Sequence, residues 1–128
     1  MQIVNPELTV DWMRSHLSGR GVKVAIIDSG VAAQHPELTG RVKHACLVER
    51  DEAGTTICRE IPAEQSFDSY GHGTAVAGAI VGLAPHVDLC SVKVLNEYNQ
   101  CTGQELIEGL RWSLAQGFKL INMSLATA

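Results

Sequence analysis

Apolar residues change their spacing several times along this chain of 128 residues, and each change marks an element. Near the start, Leu8, Trp12 and Leu17 recur at helical spacing behind Asn5-Pro6, a pair suited to N-cap and first-turn positions, and Gly19 supplies a stop. A short amphipathic helix is predicted there. Residues 22–27 are almost continuously apolar and close on Asp28-Ser29-Gly30. Such a run suits a strand buried on both faces, as in parallel sheets, that ends in a tight turn. Residues 41–48 read as a weaker strand, and residues 49–65 are polar and predict an exposed excursion.

Residues 73–81 are small and apolar, as expected of a helix packed closely in a core, with His72 in its first turn and Gly82 as its end. Residues 87–95 predict another buried strand. Leu106, Ile107, Leu110 and Leu114 then set a helix over residues 104–116, with Gly117 as its C-cap and residues 118–123 as a final strand. Strands alternating with helices imply an α/β fold, a parallel β-sheet flanked by helices and joined by right-handed crossovers. The chain holds no internal repeat and no low-complexity segment.

Composition narrows the function classes. With 45% hydrophobic and 19% charged residues, the chain can bury one core, so residues 1–128 are read as a single domain. The net charge is −4, and no basic block is present to neutralise a phosphate backbone. Nucleic acid is therefore not expected as a partner. No apolar run approaches the roughly 20 residues that span a bilayer. The opening Met1-Gln2-Ile3-Val4-Asn5-Pro6-Glu7 has neither the basic nor the apolar region of an export signal. A cytoplasmic chain with no membrane partner is the expectation.

Cys46, Cys58, Cys90 and Cys101 form no C-x-x-C pair, so neither a zinc site nor a redox motif is predicted. Cys46 and Cys58 are equidistant from Glu52. A hairpin turning around Asp51 to Gly54 would make them cross-strand neighbours, expected reduced in the cytoplasm.

Asp28, at the carboxyl end of a buried parallel strand, stands where open α/β sheets place their sites. A carboxylate there also caps turns, binds metals or is simply solvated. His72 lies between Gly71 and Gly73 at a helix start. The glycines let the backbone approach a ligand, which suits a catalytic histidine, a packed core histidine or a phosphate-cradling loop equally.

Taken together, the two stretches resemble a known family in type and order. Val24-Ala25-Ile26-Ile27-Asp28-Ser29-Gly30-Val31 resembles the aspartate motif of subtilisin-like serine proteases (subtilases). Asp68-Ser69-Tyr70-Gly71-His72-Gly73-Thr74-Ala75-Val76-Ala77-Gly78 resembles their histidine motif. His35-Pro36-Glu37-Leu38 is similar to the loop after the aspartate, Ser91-Val92-Lys93-Val94-Leu95 to the next core strand, and Ile121-Asn122-Met123-Ser124-Leu125 to the strand lining the substrate cleft.

The resemblance implies a serine endopeptidase with His72 as general base and Asp28 orienting its ring, the first two members of a triad in the order Asp, His, Ser. It also implies that Ser124, Leu125 and Ala126, with Gln100, Cys101, Thr102 and Gly103, flank an extended peptide or protein substrate as added strands. Three departures stand out. No serine follows Gly-Thr, so the family's nucleophile motif is missing, and the side-chain amide of its oxyanion hole is missing with it. The chain is accordingly expected to be the N-terminal half of a catalytic domain, inactive alone, and to join a C-terminal half or to self-associate. Ile80-Val81-Gly82-Leu83-Ala84-Pro85 lacks the family's calcium-binding loop, so no metal or other cofactor is expected. Ala126 stands where glycine is common.

Ser124 as nucleophile is the lesser reading, and Cys90 or Cys101 less still. The alternative class is a pseudo-protease that offers the cleft strands to a peptide or protein without catalysis. Phosphate binding by Gly71-His72-Gly73-Thr74 lacks a basic residue in that stretch.

Overall fold

A computed structural model of the chain describes residues 8–125. Asn5-Pro6 and Ala126 lie outside the described residues. Besides two short 3-10 turns, the described residues form α1 (Val10–His16), β1 (Lys23–Asp28), β2 (Val42–Arg50), β3 (Thr56–Ile61), α2 (His72–Leu83), β4 (Asp88–Lys93), α3 (Gly103–Ala115) and β5 (Leu120–Asn122) in order. The strands form one sheet in the order β3-β2-β4-β1-β5. β4 pairs in parallel with both β1 and β2, and β1 pairs in parallel with β5. The architecture is the expected α/β one.

The sheet is not wholly parallel, and residues 49–65 are not simply an excursion. β2 continues to Arg50 and turns back into β3, an antiparallel edge strand. Asp51 closes this hairpin: its carboxylate Oδ1 accepts from the amides of Ala53 (3.0 Å) and Thr55 (2.8 Å), and Gly54 takes φ +80°. A half-exposed edge strand tolerates the polar Arg59 and Glu60, which is why it carries so little hydrophobic signal.

The helix ends show similar local logic. Thr9 is the N-cap of α1, its hydroxyl accepting from the Trp12 amide, so that helix begins later than Asn5-Pro6 suggests. α2 passes through Gly82 to Leu83, because its residues are apolar on every side and nothing there favours a break. Thr102 and Glu105 form a reciprocal capping box at the start of α3. Gly117 ends α3 with φ +83°, its amide reaching Leu114 O (3.0 Å) while Phe118 N reaches Ser113 O (3.2 Å), a Schellman closure.

Two cores result, one on each face of the sheet. Val24, Ile26, Val42, Leu89 and Val87 pack against Val76, Ala77 and Ile80 of α2. Ala25, Ile27, Cys46, Val48, Cys90 and Val92 pack against Leu106, Leu110 and Trp112 of α3. Ile26 and Ile27 are fully buried on opposite faces, each stabilising the fold by about 1.5–3 kcal/mol. β1 is buried against both cores and paired on both sides, by β4 and β5, and it delivers Asp28 rigidly to the carboxyl edge of the sheet.

Candidate active site

Asp28 ends β1 with its side chain fully buried. Ser29 N donates to Asp28 Oδ1 at 2.7 Å. The backbone carbonyl of Asp28 accepts from Val94 N (3.0 Å) and Leu95 N (3.2 Å), which locks the end of β1 to the end of β4. His72 opens α2 directly above. Its Nδ1 lies 2.9 Å from both Asp28 carboxylate oxygens, and its side chain is 40% exposed. With Nδ1–H donating to Asp28, Nε2 is the ring nitrogen left to accept a proton.

The backbone around His72 is permissive and is held from outside. Gly71, the N-cap, takes φ +111° and provides no side-chain cap. Asp68 does that work: its Oδ1 accepts from Tyr70 N (3.0 Å) and Gly71 N (2.8 Å), and its Oδ2 from Thr74 N (2.9 Å). Burial pushes the Asp68 carboxyl up, but hydrogen bonds from Gly71, Thr74 and Tyr70 outweigh it and hold the group at about 2. Gly73 N donates to Ser29 Oγ at 3.0 Å. The first amides of α2, which a phosphate-binding loop would offer to an anion, are thus already engaged within the chain.

A cavity of about 570 Å³ opens beside His72. Gln100, Cys101, Thr102, Gly103, Ser124 and Leu125, the described residues among those expected to flank a substrate, line it together with His72. Leu95, Asn99 and Leu106 complete the lining and were not singled out from sequence. Leu95 reads there as the end of a core strand and Leu106 as part of the apolar stripe of α3. Lys93 steadies this wall, donating from Nζ to Leu95 O (2.5 Å) while lying 5.7 Å over the Phe67 ring. The Ser124 hydroxyl donates to Asn122 Oδ1 at 2.7 Å rather than to the histidine. Cys90 is buried within the sheet, under α3, and Cys101 is half-buried in the cavity wall.

A buried aspartate at the carboxyl edge of a mostly parallel sheet, bonded to a histidine on the next crossover helix that also lines a cavity, defines an α/β protein with an Asp–His dyad. The chain belongs to the subtilase family, whose model matches residues 19–128. It is 37% identical over 117 residues to an intracellular serine protease of Paenibacillus polymyxa, covering 84% of this chain and 33% of that protein. Against subtilisin DY of Bacillus licheniformis the identity is 36%, covering 84% of this chain and 38% of the relative. The crystal structure of a cold adapted subtilisin-like serine proteinase superposes with a TM-score of 0.63 at 31% identity, covering 86% of this chain and 38% of that one. The chain therefore spans about a third of the length of the curated relatives it matches. Among the described residues, no helix is long and apolar enough to cross a membrane.

Proposed function

We propose that these residues are the Asp- and His-bearing part of a subtilisin-type serine endopeptidase domain. The observation that carries the reading is the paired 2.9 Å contact of His72 Nδ1 with the buried Asp28 carboxylate, which leaves Nε2 as the proton acceptor beside the cavity. Asp28 holds the ring in one tautomer and stabilises the imidazolium that forms. His72 Nε2 takes the nucleophile's proton and returns it to the leaving amine. Leu95, Leu106 and Leu125 offer apolar surface to substrate side chains. The segments around Gln100–Gly103 and Ser124 supply main-chain groups to an extended peptide.

No serine of the 128 follows Gly-Thr, so in this reading the nucleophile stands on a segment outside them, and the 128 residues alone hydrolyse no peptide bond. A cytoplasmic setting goes with the reading, supported by four free thiols and by the similarity to an intracellular protease.

The test is peptide hydrolysis by the full-length protein and its Asp28→Asn variant. A fall of about 10⁴-fold in kcat, the size seen when a triad aspartate loses its charge, supports the reading. Undiminished turnover in Asp28→Asn overturns it. Peptide binding without hydrolysis by the parent protein would favour the pseudo-protease class instead.

A further inference from the structure

Asp68 lies outside every helix and strand, four residues before His72, yet its carboxylate gathers four hydrogen bonds from two separate stretches of chain, residue 29 and residues 70–74. Besides the amides of Tyr70, Gly71 and Thr74, it accepts from the Ser29 hydroxyl at 2.8 Å. Ser29 Oγ in turn accepts from Gly73 N at 3.0 Å. Ser29 is the residue after Asp28, and Gly73 is the residue after His72. The two halves of the dyad are therefore joined twice, once side chain to side chain and once through the relay Asp68, Ser29, Gly73. A backbone bridge between Gly30 and Asp68, with Ser69 N donating to Ser29 O at 3.3 Å, closes the same junction.

The site needs such a relay. His72 is flanked by Gly71 and Gly73, residues whose backbone freedom costs the most to restrain, and its ring is partly exposed. Outside the relay, the polar ties between the first turn of α2 and the end of β1 are the His72 Nδ1 contacts and the Ala32 N–H donated to Thr74 Oγ1 at 3.0 Å, and neither fixes Gly71. A displacement of about 1 Å at a reacting group is enough to lower turnover by about 10²-fold. All four contacts of Asp68 are donors, so only an ionised carboxylate satisfies them. Its carboxyl, held at about 2, stays ionised wherever a histidine acts as base.

We propose that Asp68 is a positioning residue: through Ser29 and the first turn of α2 it fixes the His72 ring over Asp28, an inference that rests on the peptidase reading above. Asp68 does not line the cavity, so it governs turnover rather than peptide binding.

The test uses the full-length protein, with Asp68→Asn, Ser29→Ala and Asp28→Asn compared well below their melting temperatures. Asp68→Asn turns an amide group toward the Thr74 N–H and removes the charge. Its kcat is expected to fall about 10²-fold with KM changed by no more than about two-fold. Its His72 Nδ1 proton resonance is expected to broaden and exchange faster with water than in the parent. A purely structural role would lower the melting temperature and leave kcat of the folded protein and the Nδ1 resonance unchanged; that result overturns the proposal.

If Asp28→Asn loses turnover while Asp68→Asn and Ser29→Ala keep theirs, positioning fails and the peptidase reading stands. If Asp28→Asn turns over normally, the peptidase reading itself fails. Should Asp68→Asn not fold, Ser29→Ala decides by the same two readouts, because it removes the relay and leaves the carboxylate on its three amides.

Discussion

Gly73 packs directly over the carbonyl of Gly30, so that a Cβ at position 73 would overlap that oxygen and lie 3.2 Å from Asp28 Cβ. The obstacle is backbone rather than the end of a flexible side chain, and β1 is clamped by strands on both sides, so neither partner can yield cheaply. Gly73→Ala should therefore push α2 off the end of β1. The expected loss is about 1 to 3 kcal/mol of unfolding free energy, the range for overpacking. It should be accompanied by a weakened His72–Asp28 contact. Urea unfolding measures the first and the His72 Nδ1 proton resonance the second. A variant as stable as the parent would show that the helix has room the structure does not display.

The low value held by Asp68 has a consequence for acid stability. Its ordinary value is 3.8 and its folded value about 2, so between these limits the unfolded chain binds more protons than the folded one. Stability then rises with pH across that window. The contribution of Asp68 is complete above about pH 4 and is lost as pH falls through about 2. Asp68→Asn should flatten the slope of unfolding free energy against pH in this range and leave the slope near neutrality unaltered. Denaturant titrations at several pH values between these limits read that slope directly; equal slopes for parent and variant would contradict the assignment.

Asp28 and His72 were legible in the sequence because each sits where two local signals meet. A continuous apolar run stops at an acid in one case, and a small-residue helix starts at a glycine-flanked histidine in the other. Asp68 stands in the same motif, but its role depends on donors from residues 29, 70, 71 and 74 converging in space, which no spacing rule conveys. β3 was hidden for a different reason. Its residues are at most half-buried, and Arg59 shares a face with Ile57 and Ile61 while Glu60 shares the other with Cys58, so neither face reads as apolar. Leu106 was legible as helix stripe but not as cavity wall, because one face of α3 serves both.

Metal removal gives a further test. α2 runs unbroken from His72 to Leu83, and residues 80–85 carry no side-chain oxygen. A calcium site takes about 6 to 8 oxygen ligands, more than backbone carbonyls already committed to a helix can supply. The melting temperature in excess chelator should equal that in millimolar calcium. A clear drop in chelator would reveal a site built from other parts of the protein.

The thiols supply the last prediction. Cys46 and Cys58 do lie on neighbouring strands of a hairpin, but the turn is centred on Ala53 rather than Glu52. Cys58 therefore faces Val48, and Cys46 faces Glu60. The two cysteines are diagonal neighbours, a relationship with Cα atoms about 7–8 Å apart, whereas a disulfide spans about 4.4–6.8 Å. A bridge would demand a two-residue shift of register along the whole β2–β3 ladder. Reactivity is suppressed as well. A hydrogen bond with Cys58, followed by burial, pushes the Cys46 thiol far up, and burial pushes Cys90 up to about 12. Only the thiolate attacks, so at pH 8 both should ignore a disulfide reagent such as DTNB. Cys58 and Cys101, both half-buried, are the two that should react in the native protein, with all four reacting in denaturant. Peptide mapping after alkylation assigns each site. Native labelling of Cys46 at the rate of a free thiol, or a Cys46–Cys58 crosslink after air oxidation, would mean that the hairpin slips its register in solution.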